Sequence, residues 1–165
     1  MKISRLIVPI DFSPDSAAAL AWALELSVAL GASVDLVHVV DNPMAAGVWS
    51  SAMYTTEVRG LQINLVRDAK RKLRDFVPKV AGVRCGVGRH VRVGDPAREI
   101  VKFAVERAAN LIVMGTLGRT GLSHLLIGSV AEHVSRYAPC PVLTVKSDEA
   151  YAALQQGRSA SKIPA

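Results

Sequence analysis

Near its C-terminal end the chain reads Met114-Gly115-Thr116-Leu117-Gly118-Arg119-Thr120-Gly121, and a little further on Ile127-Gly128-Ser129. An apolar run, Leu111 to Met114, comes directly before it, and a helix-like stretch, Val130 to Arg136, directly after. A strand ending in glycine, then a loop, then a helix opening with Gly-Ser suits one chemistry in particular, the binding of phosphate. Without a Cβ in the way, backbone N–H groups approach an anion closely. A helix N-terminus adds unpaired donors and a partial positive charge.

Two common nucleotide signatures are excluded. Walker A needs Lys directly after its second Gly, followed by Ser or Thr, and no such run exists. The dinucleotide fingerprint needs three glycines, but after Gly86 and Gly88 the third position is Val91, and the match falls inside a strand-like segment. Catalytic patterns are equally thin. Ser129 and His133 lie four apart on a helix, but no third partner and no G-x-S-x-G elbow accompany them. His38 sits in an apolar strand and reads as a packed histidine. The four histidines show no metal-ligand spacing.

The elements that must position the glycine segment alternate regularly. Strands are expected at Ile3 to Ile10, Ser33 to Val40, Val83 to Val93, Asn110 to Met114 and Pro141 to Lys146. The first is a continuous apolar run from Leu6 to Ile10, as strands buried on both faces are. A helix opens after Phe12, with Ser13 as N-cap and Pro14 in its first turn, and stops at Gly31. A second covers about Thr56 to Val80, a third follows the N-cap Asp95, and the fourth follows the glycine segment. This alternation predicts a parallel sheet covered by helices on both faces, an α/β sandwich of three layers. Ligands of such sheets bind beyond the carboxyl ends of the strands, where strand order reverses. Asp11, Val39 and Gly115 stand at or near such ends.

The spacing Gly115-x2-Gly118-x9-Gly128-Ser129, with Pro9-Ile10-Asp11-Phe12-Ser13 at the start and Pro139-Cys140-Pro141-Val142 at the end, resembles the universal stress protein family over about residues 2 to 146. The resemblance implies a five-stranded parallel sheet, an ATP site, and a homodimer formed through the last strand, Pro141 to Lys146. It implies that Gly115, Gly118, Gly128 and Ser129 line the triphosphate pocket, with Gly128 and Ser129 giving backbone N–H groups and Arg119 adding charge. It implies that Pro9 and Asp11 end the first strand in the pocket, and that Asp11 faces the ribose-phosphate region or a bound Mg2+ or Mn2+. The Val39 backbone would hold the adenine, and Met114 would touch sugar or base. Bulky residues at Gly115 or Gly128 are then expected to abolish binding and leave the fold intact. The reading is a nucleotide-dependent sensor or regulator of stress responses rather than a dedicated catalyst. A non-nucleotide interaction protein of the same fold and a weak ATPase or phosphotransferase are the alternatives.

Composition agrees with one domain. The 165 residues are 50% hydrophobic and only 5% aromatic, so Val, Leu, Ile and Ala build the core. No apolar run reaches membrane-spanning length, and no signal-peptide pattern opens the chain, so a cytoplasmic protein is expected. Cys85 and Cys140 are expected as two separate buried thiols. The net charge is +6, densest from Arg67 to Lys79. Leu61, Leu65, Leu73 and Phe76 are expected to make the apolar face of that helix, which leaves the cations as a solvated face rather than a nucleic-acid patch. Asp41 to Thr55 reads as a long loop, and 147–165 as a short helix followed by a disordered tail outside the domain.

Overall fold

The computed structural model describes residues 2–41, 56–76, 86–116 and 128–147. Five strands alternate with four helices: β1 (Arg5–Pro9), α1 (Pro14–Leu30), β2 (Ser33–Val40), α2 (Thr56–Phe76), β3 (Val87–Val93), α3 (Pro96–Glu106), β4 (Leu111–Gly115), α4 (Ser129–Tyr137) and β5 (Val142–Val145). All strand pairs are parallel, in the order β3-β2-β1-β4-β5. The chain winds outward from β1 to β3, then returns to the other side of β1 for β4 and β5. The strand order therefore reverses between β1 and β4. The three-layer parallel sandwich expected from the alternation is the observed fold.

Strand parity divides the core in two. Leu6, Val8, Val34 and Leu36 point to the side carrying α1 and α2, where Leu20, Ala23 and Leu73 meet them. Ile7, Val37 and Ile112 point to the other side, against Ile100, Phe103 and Ala104 of α3 and Ala131 and Val134 of α4. This burial on both faces is why the strands read as continuous apolar runs.

The helix boundaries follow local chemistry. The Ser13 hydroxyl caps α1 by accepting from the Ser16 N–H at 3.2 Å, and Asp95 caps α3 by accepting from the Arg98 N–H at 2.9 Å. Gly31 ends α1 in the left-handed conformation. The end of α3 has the same turn without a glycine. Ala108 sits at φ 49°, with its N–H on the Val105 carbonyl and the Ala109 N–H on the Ala104 carbonyl. Those two bonds are the paired hydrogen bonds of a Schellman turn.

Two expectations need correction. The apolar face of α2 is not the one drawn from Leu61 and Leu65, which are 49% and 38% exposed. The stripe that turns inward is Val66, Ala69, Leu73 and Phe76, because the N-terminal part of the helix leaves its leucines in solvent. The expected strand from Val83 starts, in the described residues, at Val87, with Gly86 outside it. Gly88 lies within β3 for a packing reason, since a Cβ there would stand 2.1 Å from Asp35 Oδ1. Asp35 is buried near the start of β2, holding Arg107 at 2.9 Å and His90 at 3.1 Å. That cluster lies about 13 Å along the strand from Val39, at the end of the sheet away from the β1–β4 reversal.

The α2 cations Arg67, Lys70, Arg71, Lys72 and Arg74 are all exposed, as a solvated face requires. Cys140 is half-buried, and burial pushes its thiol pKa up against the lowering effect of a hydrogen bond with the Ile112 backbone. No helix among the described residues is long and apolar enough to cross a membrane. Cys85, Lys79, the 42–55 loop and the segment from 148 onward lie outside the described residues.

Candidate functional site

A cleft of about 340 Å³ opens at the carboxyl end of the sheet, where β1 and β4 diverge. A size of this order suits a small molecule. Its floor is Pro9, Ile10 and Asp11 after β1, with Met114, Gly115 and Thr116 at the end of β4. Val37, His38 and Val39 of β2 form one wall with Pro96 and Ile100 of α3, and Gly128, Ser129, Val130 and Ala131 form the other. Seven of the nine residues singled out from the sequence are thereby gathered in one place: Pro9, Asp11, Val39, Met114, Gly115, Gly128 and Ser129. Gly118 and Arg119 lie outside the described residues.

The start of α4 is the electropositive end of the cleft. Its N-cap is Gly128, which has no side chain to cap the helix, unlike Ser13 at α1 and Asp95 at α3. The Glu132 N–H is satisfied by the Gly128 carbonyl at 2.9 Å. The three N–H groups before it, on Ser129, Val130 and Ala131, belong to the first turn and have no intrahelical acceptor. All three residues line the cleft. One expectation changes here: the Gly128 N–H donates to the Thr116 carbonyl at 2.8 Å, so it braces the wall rather than facing a ligand.

Gly115 also acts differently from the expectation. A Cβ at this position would lie 2.7 Å from Asp15 Cβ and 2.9 Å from the Asp15 carbonyl carbon. The missing side chain admits the first turn of α1 against the end of β4. A bulky residue at 115 therefore disturbs the fold, and is no clean probe of the cleft.

Asp11 is half-buried and oriented by its neighbour. Its Oδ1 accepts from the Ser13 N–H at 3.0 Å and from the Ser13 hydroxyl at 2.5 Å. Between them, Phe12 takes φ 67°, a left-handed conformation that L side chains resist. Its ring is held against His38, with centroids 4.6 Å apart, and edge-on to Phe76 at 5.5 Å. The ring packing and the Asp11–Ser13 bonds together hold this strained turn in place. His38 is the packed histidine the sequence implied. Its Nδ1 lies 2.6 Å from the Ile10 carbonyl, which only accepts, so Nδ1 carries the proton. The His133 ring packs against Tyr137 on α4, with centroids 4.6 Å apart and planes tilted by 45°.

The donor set can be weighed against a cation. Among the described residues no cluster of three or more His, Cys, Asp or Glu could hold a metal. Asp11 and Asp41 are the carboxylates lining the cleft, and Asp11, at the end of β1, fits a Mg2+ whose other ligands are phosphate oxygens and water.

Three residues given no role from the sequence shape the site: Thr116 lines it, and Asp15 and Ser147 stand behind. Asp15 is 3% exposed and accepts from Thr116 Oγ1 at 3.1 Å, the Ser147 N–H at 3.0 Å and Ser147 Oγ at 2.7 Å. The only sequence signal was an acid early in a helix, which is ordinary there.

Comparison with known proteins agrees with this geometry. The model of the universal stress protein family matches residues 2–146. Universal stress protein MJ0531 of Methanocaldococcus jannaschii is 37% identical over 144 residues, covering 86% of this chain and 81% of that protein. The solved structure of MJ0577, a universal stress protein of the same organism, superposes with a TM-score of 0.78 at 30% identity, covering 90% of this chain and 99% of the other. A universal stress protein of Archaeoglobus fulgidus, solved in complex with dAMP, has a TM-score of 0.54 at 24% identity, covering 88% and 100%. The chain belongs to the universal stress protein family.

Proposed function

We propose that the cleft binds ATP and that the protein acts as a nucleotide-dependent regulator. The observation that carries this is the start of α4: a first turn with no side-chain cap, whose N–H groups line a cleft at the strand-order reversal. The positive end of a helix, with first-turn N–H groups that have no intrahelical acceptor, attracts phosphate. The opposite wall supplies what a base and sugar need, with apolar Ile10, Val37, Val39 and Ile100 beside backbone groups at strand ends. The dAMP complex of the Archaeoglobus protein supports an adenine nucleotide as the ligand class. Ser129 stands on the phosphate side, and Gly118 and Arg119 belong to the same motif. Asp11 takes the ribose-phosphate side and, with phosphate oxygens, a Mg2+ or Mn2+.

Equilibrium dialysis of the purified protein with radiolabelled ATP and Mg2+ tests this. Saturable binding of one ATP per chain is expected, and its absence sinks the reading.

The same proposal includes a homodimer through β5, within the segment Pro141 to Lys146. Among the described residues β5 is an edge of the sheet, and Leu143 is 37% exposed on it. Edge strands carry unpaired backbone groups that invite a second copy. Light scattering at tens of micromolar chain reads the mass, and a single-chain mass removes the dimer from the proposal. We place residues 1–146 in one domain; Ser147, expected to open the tail outside it, is buried against Asp15 and belongs with the domain.

A further inference from the structure

We propose that Asp15 is the positioning residue of the phosphate-binding wall, and that through it the chain's exit at Ser147 tunes triphosphate affinity. This rests on the nucleotide reading above.

The connections run through Thr116. This residue lines the cleft, whereas Asp15 lies behind it. The Thr116 carbonyl accepts from the Gly128 N–H at 2.8 Å, which fixes the cap of α4. The Thr116 N–H donates to the Val145 carbonyl at 3.0 Å, which ties it to the end of β5. Its hydroxyl donates to Asp15 Oδ2 at 3.1 Å, while Asp15 Oδ1 accepts both donors of Ser147. One carboxylate thus clamps the β4 exit and the β5 exit to the first turn of α1. The cap of α4 hangs from the clamped residue.

A carboxylate is an odd choice for this place on electrostatic grounds. Behind a phosphate site its charge opposes the ligand, so simple Coulomb reasoning makes an Asp15→Asn protein the better ATP binder. The positioning role gives the opposite sign. Asn presents N–H donors to a site built from donors, so Thr116 loses its anchor and the first-turn N–H groups of α4 lose their fixed direction. Charged acceptors form the stronger hydrogen bonds, which suits a clamp that must hold two strand ends to the start of a helix.

Calorimetric titration with ATP and with adenosine, in the presence of Mg2+, tests the proposal on the full-length protein. The variants are Asp15→Asn, Thr116→Val, Thr116→Ser and Ser147→Ala, each checked for native thermal unfolding. Thr116→Val is expected to weaken ATP about tenfold and adenosine less than about twofold, since one charge-assisted bond is lost behind the phosphates only. Thr116→Ser keeps the donor and should restore wild-type affinity. Ser147→Ala and Asp15→Asn should also weaken ATP more than adenosine. If Asp15→Asn does not fold, Thr116→Val and Ser147→Ala still decide the matter. An unchanged ratio of ATP to adenosine affinity in those two variants overturns the clamp and leaves the nucleotide reading standing. Tighter ATP binding by Asp15→Asn also overturns it. A wild-type protein that binds neither ligand removes both.

Discussion

The two glycines that frame the loop should fail in opposite ways when replaced. At Gly115 even an alanine methyl would sit 2.7 Å from Asp15 Cβ, 2.9 Å from its carbonyl carbon and 3.1 Å from the Ser16 nitrogen. Ordinary contact begins near 3.4 Å, so the first turn of α1 must retreat by about 0.7 Å. Overpacking of this kind costs about 1–3 kcal/mol. The retreat also stretches the bonds Asp15 makes to Thr116 and Ser147, adding about 1 kcal/mol. Gly115→Ala should therefore lose about 2–4 kcal/mol, a large share of a domain's stability. With a urea slope of about 2 kcal/mol/M, the midpoint falls by about 1–2 M. Gly128 is the contrast. Its φ of −71° and ψ of 153° suit any residue. Gly128→Asp supplies the missing cap, so stability should hold or rise by a few tenths of a kcal/mol. The same carboxylate fills the first-turn donors and repels phosphate, so ATP binding should be lost. Urea unfolding followed by circular dichroism, at one fixed chain concentration, measures the first effect, and dialysis with ATP measures the second. A Gly115→Ala midpoint within about 0.3 M of wild type would refute the packing argument. So would a Gly128→Asp protein as unstable as Gly115→Ala.

Ala108 holds a left-handed conformation where glycine would be at ease, so Ala108→Gly should raise stability by about 0.5–1 kcal/mol in the same urea assay. A destabilised variant would mean that the Schellman turn is not strained. Leu143→Asp places a charge on the exposed side of β5, so if the proposed dimer forms through this strand, light scattering should find the variant as single chains and the wild type as pairs. A variant that keeps the wild-type dimer mass would move the interface elsewhere.

The layered fold was legible because parallel strands buried on both faces leave continuous apolar runs, and because Ser13, Asp95 and Gly31 are ordinary helix punctuation. Strand ends were displaced by only one or two residues for β1, β4 and β5. The inward stripe of α2 was harder to read. Ala69, one of its buried members, does not stand out in a pattern, while exposed Leu61 and Leu65 do. The cleft residues were legible as a spacing, but not their individual duties. Whether Gly115 faces a ligand or a helix depends on how closely α1 approaches β4, which no local pattern encodes. Asp15 was hidden for the same reason. Its partners Thr116 and Ser147 lie 101 and 132 residues away, and an acid near a helix start already has a local explanation.

In a parallel sheet every helix that follows a strand begins at the carboxyl end, so α1, α3 and α4 all present their positive ends near the cleft. Two of these ends are filled by their own chain, through the Ser13 hydroxyl and the Asp95 carboxylate. Among these three, the cap residue of α4 is a glycine with no side chain to fill its first turn, so an anion entering the cleft meets α4 differently. Across from it the β2 and α3 side is lined by Val37, Val39 and Ile100, which offer apolar surface and no compensating charge. The two walls demand different chemistry from one molecule. The nucleotide proposed above would satisfy both in a single orientation, phosphates on α4 and base on β2. Reversal would bury the phosphates among aliphatic side chains and leave the donors of α4 facing a ring. The cost of stranding charge in an apolar wall, several kcal/mol even after partial solvation, makes the polarity of binding a property of the fold and not of any single contact.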